Sequence, residues 1–84
     1  MKIDDAVALA RATNRILTVD PKDPAIFLLS TPLTLIHKSS GMEVLVDKMN
    51  KVKHTFHVMK HELWSSVNEY RAVDPTDFGP RDAA

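Results

Sequence analysis

An apolar periodicity that runs from residue 42 to residue 70 constrains the fold of this chain more than any other feature of its sequence. Large apolar residues recur there at alternating spacings of three and four, with Ser66 as the one polar position: Met42, Leu45, Met49, Val52, Phe56, Met59, Leu63 and Tyr70. Residues 42–73 contain neither proline nor glycine. The spacing is typical of the buried stripe of a long α-helix, and Ser40 and Glu43 fit the S-x-x-E capping box that opens one. The pattern predicts a C-terminal helix over about residues 41–72.

The segment 33–47, "LTLIHKSSGMEVLVD", also fits a second interpretation. The β-rich runs "LTLIH" and "MEVLV" flank a Ser-Gly turn, which is typical of a β-hairpin. A hairpin there would shorten the long helix to about 25 residues. The helix is favoured because the three-four spacing begins inside this segment, and the hairpin stays the alternative.

The N-terminal half predicts shorter helices. "IDDAVALARATNRIL" is amphipathic, and Asp4 and Asp5 would lie in its first turn, where the helix dipole favours negative charge. Asp23-Pro24 offers a second helix start. Pro32 would end or kink that second helix because proline lacks a backbone N–H.

These elements predict an all-α fold, a small helical hairpin or bundle in which one or two short N-terminal helices pack on one long C-terminal helix. The alternative is an α+β fold with a hairpin at 33–47. Residues 1–73 are predicted to form a single helical domain, and the Pro-, Gly- and Asp-rich residues 74–84 a flexible C-terminal tail.

Size and composition bound the function. The 84 residues contain no cysteine, which excludes disulfides, iron–sulfur clusters and thiolate zinc sites. A chain this short buries a small core, so self-association is the expected way to bury more surface. The longest apolar run, residues 25–36, is shorter than the roughly 20 residues that cross a bilayer. The sequence therefore predicts a soluble, cytoplasmic homo-oligomer that makes no membrane contact.

Three of the four histidines lie within "HTFHVMKH", residues 54–61. On a helix, His54, His57 and His61 would share one face, which Trp64 and Asn68 continue on the side opposite the apolar stripe. A tryptophan beside such a polar face is typical of an interface anchor, so these five residues are the predicted partner-binding residues. A divalent metal held by His54, His57 and His61 is a further hypothesis, although the sequence contains no H-E-x-x-H motif.

The lysines of the same region support an alternative. Lys48, Lys51, Lys53 and Lys60 would form a cationic region for nucleic acid, but the formal net charge of the chain is zero.

No nucleophile elbow, phosphate loop or paired-carboxylate motif is present. The predicted function is therefore a non-enzymatic protein–protein interaction module of the adaptor, regulator or inhibitor type. It would present a helix face to a protein partner and use no cofactor.

Overall fold

The computed structural model describes residues 1–73, and the predicted tail at 74–84 lies outside the described residues. The described part consists of one α-helix followed by six antiparallel strands, so the prediction of an all-α helical hairpin is wrong. The elements are α1 Ile3–Ala12, β1 Leu17–Asp20, β2 Asp23–His37, β3 Glu43–Asn50, β4 Thr55–Val58, β5 Leu63–Ser66 and β6 Tyr70–Ala72, with a 3₁₀ turn at Val67–Glu69.

The strands form one curled sheet with the order β1-β2-β3-β4-β5, to which β6 is added on β2. β2 is long enough to pair with β1 over its first half and with β6 over its last residues. In a flat sheet β2 and β5 would lie roughly 14 Å apart across three strand spacings. The three residues of the 3₁₀ turn that link β5 to β6 cover only about 6 Å. The sheet therefore has to curl for β6 to reach β2.

The predicted long helix at 41–72 is replaced by hairpins, and cross-strand pairing explains why its apolar spacing was misleading. Met49 of β3 faces Phe56 of β4, and Val46 faces Val58. Met49 and Phe56 are seven residues apart in sequence because the connecting turn is short, so a cross-strand pair reproduces a heptad interval. Residues 33–47 form the hairpin of the alternative interpretation, with Leu33 opposite Val46.

The turns of this region contain little glycine, and other residues take the backbone conformations that the turns require. His54 has a φ of 56° and Glu62 a φ of 48°, both in the left-handed region that usually marks a glycine. In the β3–β4 turn the buried side chain of Asn50 accepts hydrogen bonds from the backbone N–H groups of Val52 and Lys53, at 3.0 and 2.8 Å. An asparagine that bonds its own turn in this way replaces the usual Asn-Gly signal.

The predicted N-terminal helix is present but ends at Ala12 instead of continuing to Leu17, which lies in β1. Asn14 follows the helix with a φ of 66°, and the N–H of Arg15 donates to the carbonyl of Ala10 at 2.9 Å. These are the marks of a Schellman C-terminal cap. Inside the helix Ile3, Ala6 and Ala10 are buried.

The predicted second helix from Asp23 is wrong, because residues 23–37 form β2. Pro32 lies where the pairing of β2 with β3 shifts register, between Leu28 and Leu33. Such an irregularity tolerates a proline because no ladder N–H is needed there. The Arg15 guanidinium donates to the Pro32 carbonyl from Nε at 3.1 Å and from Nη2 at 2.7 Å, which ties the end of α1 to this bend.

One apolar core lies between α1 and the curled sheet. Its largest fully buried side chains are Phe56, Leu35, Met49, Val46, Val58 and Val67. Over residues 1–73, the structure contains no helix that is both long and apolar enough to cross a membrane.

Candidate partner-binding surface

The tips of the β2–β3 and β4–β5 hairpins flank an open cleft of about 680 Å³. We call this cleft the hairpin groove. Both hairpins contribute side chains, and so does the first residue of β6. The groove is lined by His37, Ser40, Met42, Glu43, Val44, Leu45, Val58, Met59, Lys60, His61, Leu63, Ser65 and Tyr70. Val58 and Tyr70 are buried and belong to the core, so the groove lies directly on the packed interior.

Four large apolar side chains of the groove are exposed to solvent. Met42 is 61% exposed, Leu45 47%, Met59 38% and Leu63 44%. Leu45 and Met59 are cross-strand neighbours, since the Met59 N–H donates to the Leu45 carbonyl at 3.0 Å. An apolar cluster that lines a concave surface is a feature of sites that bind partners or ligands. The methionines can also repack around different apolar shapes.

One end of the groove is polar and is held by His37. Its ring nitrogen Nε2 lies 3.3 Å from Glu69 Oε1, and Nδ1 lies 3.0 Å from the Ser39 hydroxyl and 3.2 Å from the Ser40 hydroxyl. The ring also meets the Tyr70 ring edge-on, with centroids 5.2 Å apart. These contacts fix the tip of the β2–β3 hairpin against the 3₁₀ turn and β6, so this wall of the groove has a defined position.

The outer surface of the sheet carries a second constellation, which we call the outer row and which consists of Asp47, His57 and Trp64. His57 Nδ1 lies 2.7 Å from Asp47 Oδ1, and its ring centroid lies 5.3 Å from that of Trp64. His57 and Trp64 face each other across β4 and β5. Within residues 1–73, no hydroxyl group hydrogen-bonds to His57.

The structure separates the histidines that were predicted to share a helix face. His54 lies in the β3–β4 turn and His61 in the β4–β5 turn, at opposite ends of β4, while His57 lies within that strand. Asn68 is exposed in the 3₁₀ turn. Of the five predicted partner-binding residues, His57 and Trp64 are in contact with each other. Within residues 1–73, no three histidine, aspartate or glutamate side chains are grouped so that they could hold a metal ion.

The lysines of the nucleic-acid alternative are also divided. Lys51 and Lys53 are exposed in the β3–β4 turn, and Lys51 Nζ lies 4.9 Å from the centre of the Phe27 ring. Lys48 is half-buried in β3, and Lys60 lies in the β4–β5 turn at the groove. The four ammonium groups therefore do not belong to one turn or one hairpin.

Sequence reasoning missed the hairpin groove, because it assigned Met42, Leu45, Met59 and Leu63 to the buried stripe of a helix. These four residues and Val52 are the exposed members of that periodicity, whereas Met49, Phe56 and Tyr70 are its buried members. The available signal was the pairing of "LTLIH" with "MEVLV", since extending that hairpin to β4 brings Leu45 beside Met59.

Comparison of the chain with protein-family models, with curated proteins and with solved structures finds no match.

Proposed function

We propose that this protein is a non-enzymatic protein-binding module and that the hairpin groove binds a short segment of a partner protein through large apolar side chains. The observation that carries the proposal is the exposure of Met42, Leu45, Met59 and Leu63 along one groove. The binding surface is thus formed by two hairpin tips, and it replaces the helix face expected from the sequence.

The openness of the groove supports a protein segment as the occupant. Pockets for small molecules enclose most of the ligand surface and add a few convergent polar groups. The hairpin groove is instead open, and four of its apolar side chains are exposed to solvent, so a longer chain can pass between the two tips. At its polar end the His37 ring is already bonded to Ser39, Ser40 and Glu69. Recognition would therefore depend on the fit of apolar side chains.

The methionines of the hairpin groove support the same occupant. Binding surfaces that take apolar side chains from partner segments often use methionine because its side chain is flexible and polarisable. Met42 and Met59 lie on the two hairpins that flank the groove. They can adjust to a leucine, isoleucine, methionine or phenylalanine side chain of the partner without moving the sheet.

The test uses peptides selected from a random library for binding to the full chain, with affinities measured by calorimetry. Met42→Glu and Met59→Glu place a charge in the groove and should weaken each selected peptide by tenfold or more, since burying an unpaired carboxylate is costly. Val52→Glu is the matched control because Val52 is an exposed apolar residue of the β3–β4 turn, outside the groove.

Two results would contradict the proposed function. One is a library from which no peptide is enriched on the wild-type chain. The other is a set of peptides whose affinities fall as much with Val52→Glu as with Met42→Glu, because that result would place binding outside the groove.

A further inference from the structure

The outer edge of β5 offers backbone hydrogen-bonding groups that the described part of the sheet does not use. β5 pairs with β4 on one side only. The Val67 N–H donates to the His54 carbonyl at 3.0 Å. This pair is in the same register as the residue pairs of β4 and β5, which show no register shift. Because hydrogen-bonded positions alternate along an antiparallel strand, the backbone groups of Trp64 and Ser66 point away from β4.

One of these outward groups is already occupied. Ser66 is the N-cap residue of the 3₁₀ turn, so its carbonyl accepts the first hydrogen bond of that turn. Within residues 1–73, the N–H of Ser66 and both backbone groups of Trp64 are left unpaired on the outer edge. Trp64 is also 41% exposed, which is a large area of indole to leave in water.

The other two edges of the sheet carry features that discourage pairing, and β5 does not. β1 ends in Asp20 with a register shift beside it, and Pro21 follows. β6 has Arg71 at its centre. β5 is "LWSS", with no charge, proline or bulge among its residues. Natural sheets use such charges, prolines and bulges to prevent edge-to-edge association, so among these three edges β5 is the one left open to an occupant.

We propose that this occupant is β5 of a second copy, which pairs antiparallel about a two-fold axis near Ser65. Every strand pair in the sheet is antiparallel, so this contact continues the existing ladder into a second sheet. The axis places the Ser66 N–H of each copy opposite the Trp64 carbonyl of the other. A two-fold contact of this kind is self-complementary and closes as a dimer.

The side chains fit the same axis. Diagonal neighbours across an antiparallel pair lie about 7–8 Å apart, which is within reach of aromatic rings. Trp64 of one copy and Trp64 of the other are such neighbours on the outer surface, so each indole covers the other. Leu63 and Ser65 of β5 line the hairpin groove, but Trp64 and Ser66 do not, and Met42 and Met59 lie outside β5. Dimerisation and groove binding can therefore be tested separately.

The experiment is sedimentation equilibrium of the untagged full chain from micromolar to millimolar concentration, with two matched variants. Ser66 has a φ of −62°, which proline also adopts. Ser66→Pro removes the outward N–H together with the side-chain cap of the 3₁₀ turn, whereas Ser66→Ala removes the cap alone. We expect the wild type and Ser66→Ala to form dimers with dissociation constants within about twofold of each other. Ser66→Pro should raise the dissociation constant about tenfold or more, because two hydrogen bonds are lost across the axis.

A third variant keeps the test decisive if Ser66→Pro does not fold, which circular dichroism would show. Trp64→Lys places a charge on the edge, as natural sheets do to prevent pairing, and should also raise the dissociation constant about tenfold or more. The inference is overturned if the wild type has the mass of a single chain at every concentration. It is equally overturned if folded Ser66→Pro associates as Ser66→Ala does, or if Trp64→Lys associates as the wild type does.

Discussion

At the scale of single residues, the turns of this protein depend on side chains that are not the usual turn formers. Asn50 is the only buried polar or charged residue in the described part of the chain, and it bonds two backbone N–H groups of the β3–β4 turn. His54 and Glu62 take left-handed conformations without being glycine. A search for Asn-Gly or Asp-Gly could not find these turns, because neither dipeptide occurs in the sequence.

Asn50→Ala should lower the free energy of unfolding by about 1–3 kcal/mol, because two N–H groups of the β3–β4 turn lose the acceptor that the buried Asn50 side chain provides. Urea denaturation followed by circular dichroism measures the change. Asn68→Ala is the control, since Asn68 is exposed and its backbone N–H bonds to the Ser66 side chain. Equal losses in the two variants would show that the Asn50 side chain does not hold the turn.

At the scale of elements, the helix was predictable and most of the strands were not. Residues 3–12 have an amphipathic pattern that matches α1, because Ile3 and Ala10 face one core. Over residues 42–70 two patterns coincide: Met49 and Phe56 are separated by a heptad interval and are also partners across a hairpin. The periodicity cannot separate these two causes, because both place apolar side chains on one surface. The pairing partner of "MEVLV" is needed to decide between them, and that partner lies outside the periodic stretch.

Arg15 joins the end of α1 to the bend of β2 at Pro32. Arg15→Ala should lower the free energy of unfolding by about 1–2 kcal/mol, because the Pro32 carbonyl loses two charge-assisted hydrogen bonds. Arg11→Ala, an exposed arginine in the last turn of the same helix, should change it by less than about 0.5 kcal/mol. Thermal or urea unfolding of both variants compares them directly. If Arg11→Ala is the more destabilising of the two, Arg15 does not hold this bend.

At the scale of the whole molecule, the candidate site follows from the way the sheet curls. The sequence identified His57 and Trp64 as neighbours for the wrong reason, since a helix face and a cross-strand pair both bring them together. It could not place Met42 and Met59 in one groove, because that arrangement depends on two hairpins flanking one cleft. The proposed function and the proposed dimer both depend on this arrangement, the first through the hairpin groove and the second through the open edge that β5 leaves.

The most direct test of this arrangement is a methyl NMR titration of the chain labelled at its four methionines with a library-selected peptide. Met42 and Met59 are exposed in the hairpin groove, whereas Met49 is fully buried in the core. We expect the Met42 and Met59 signals to shift together as peptide is added, with one dissociation constant, while the Met49 signal changes far less. This expectation would be contradicted if saturating peptide left the Met42 and Met59 signals in place.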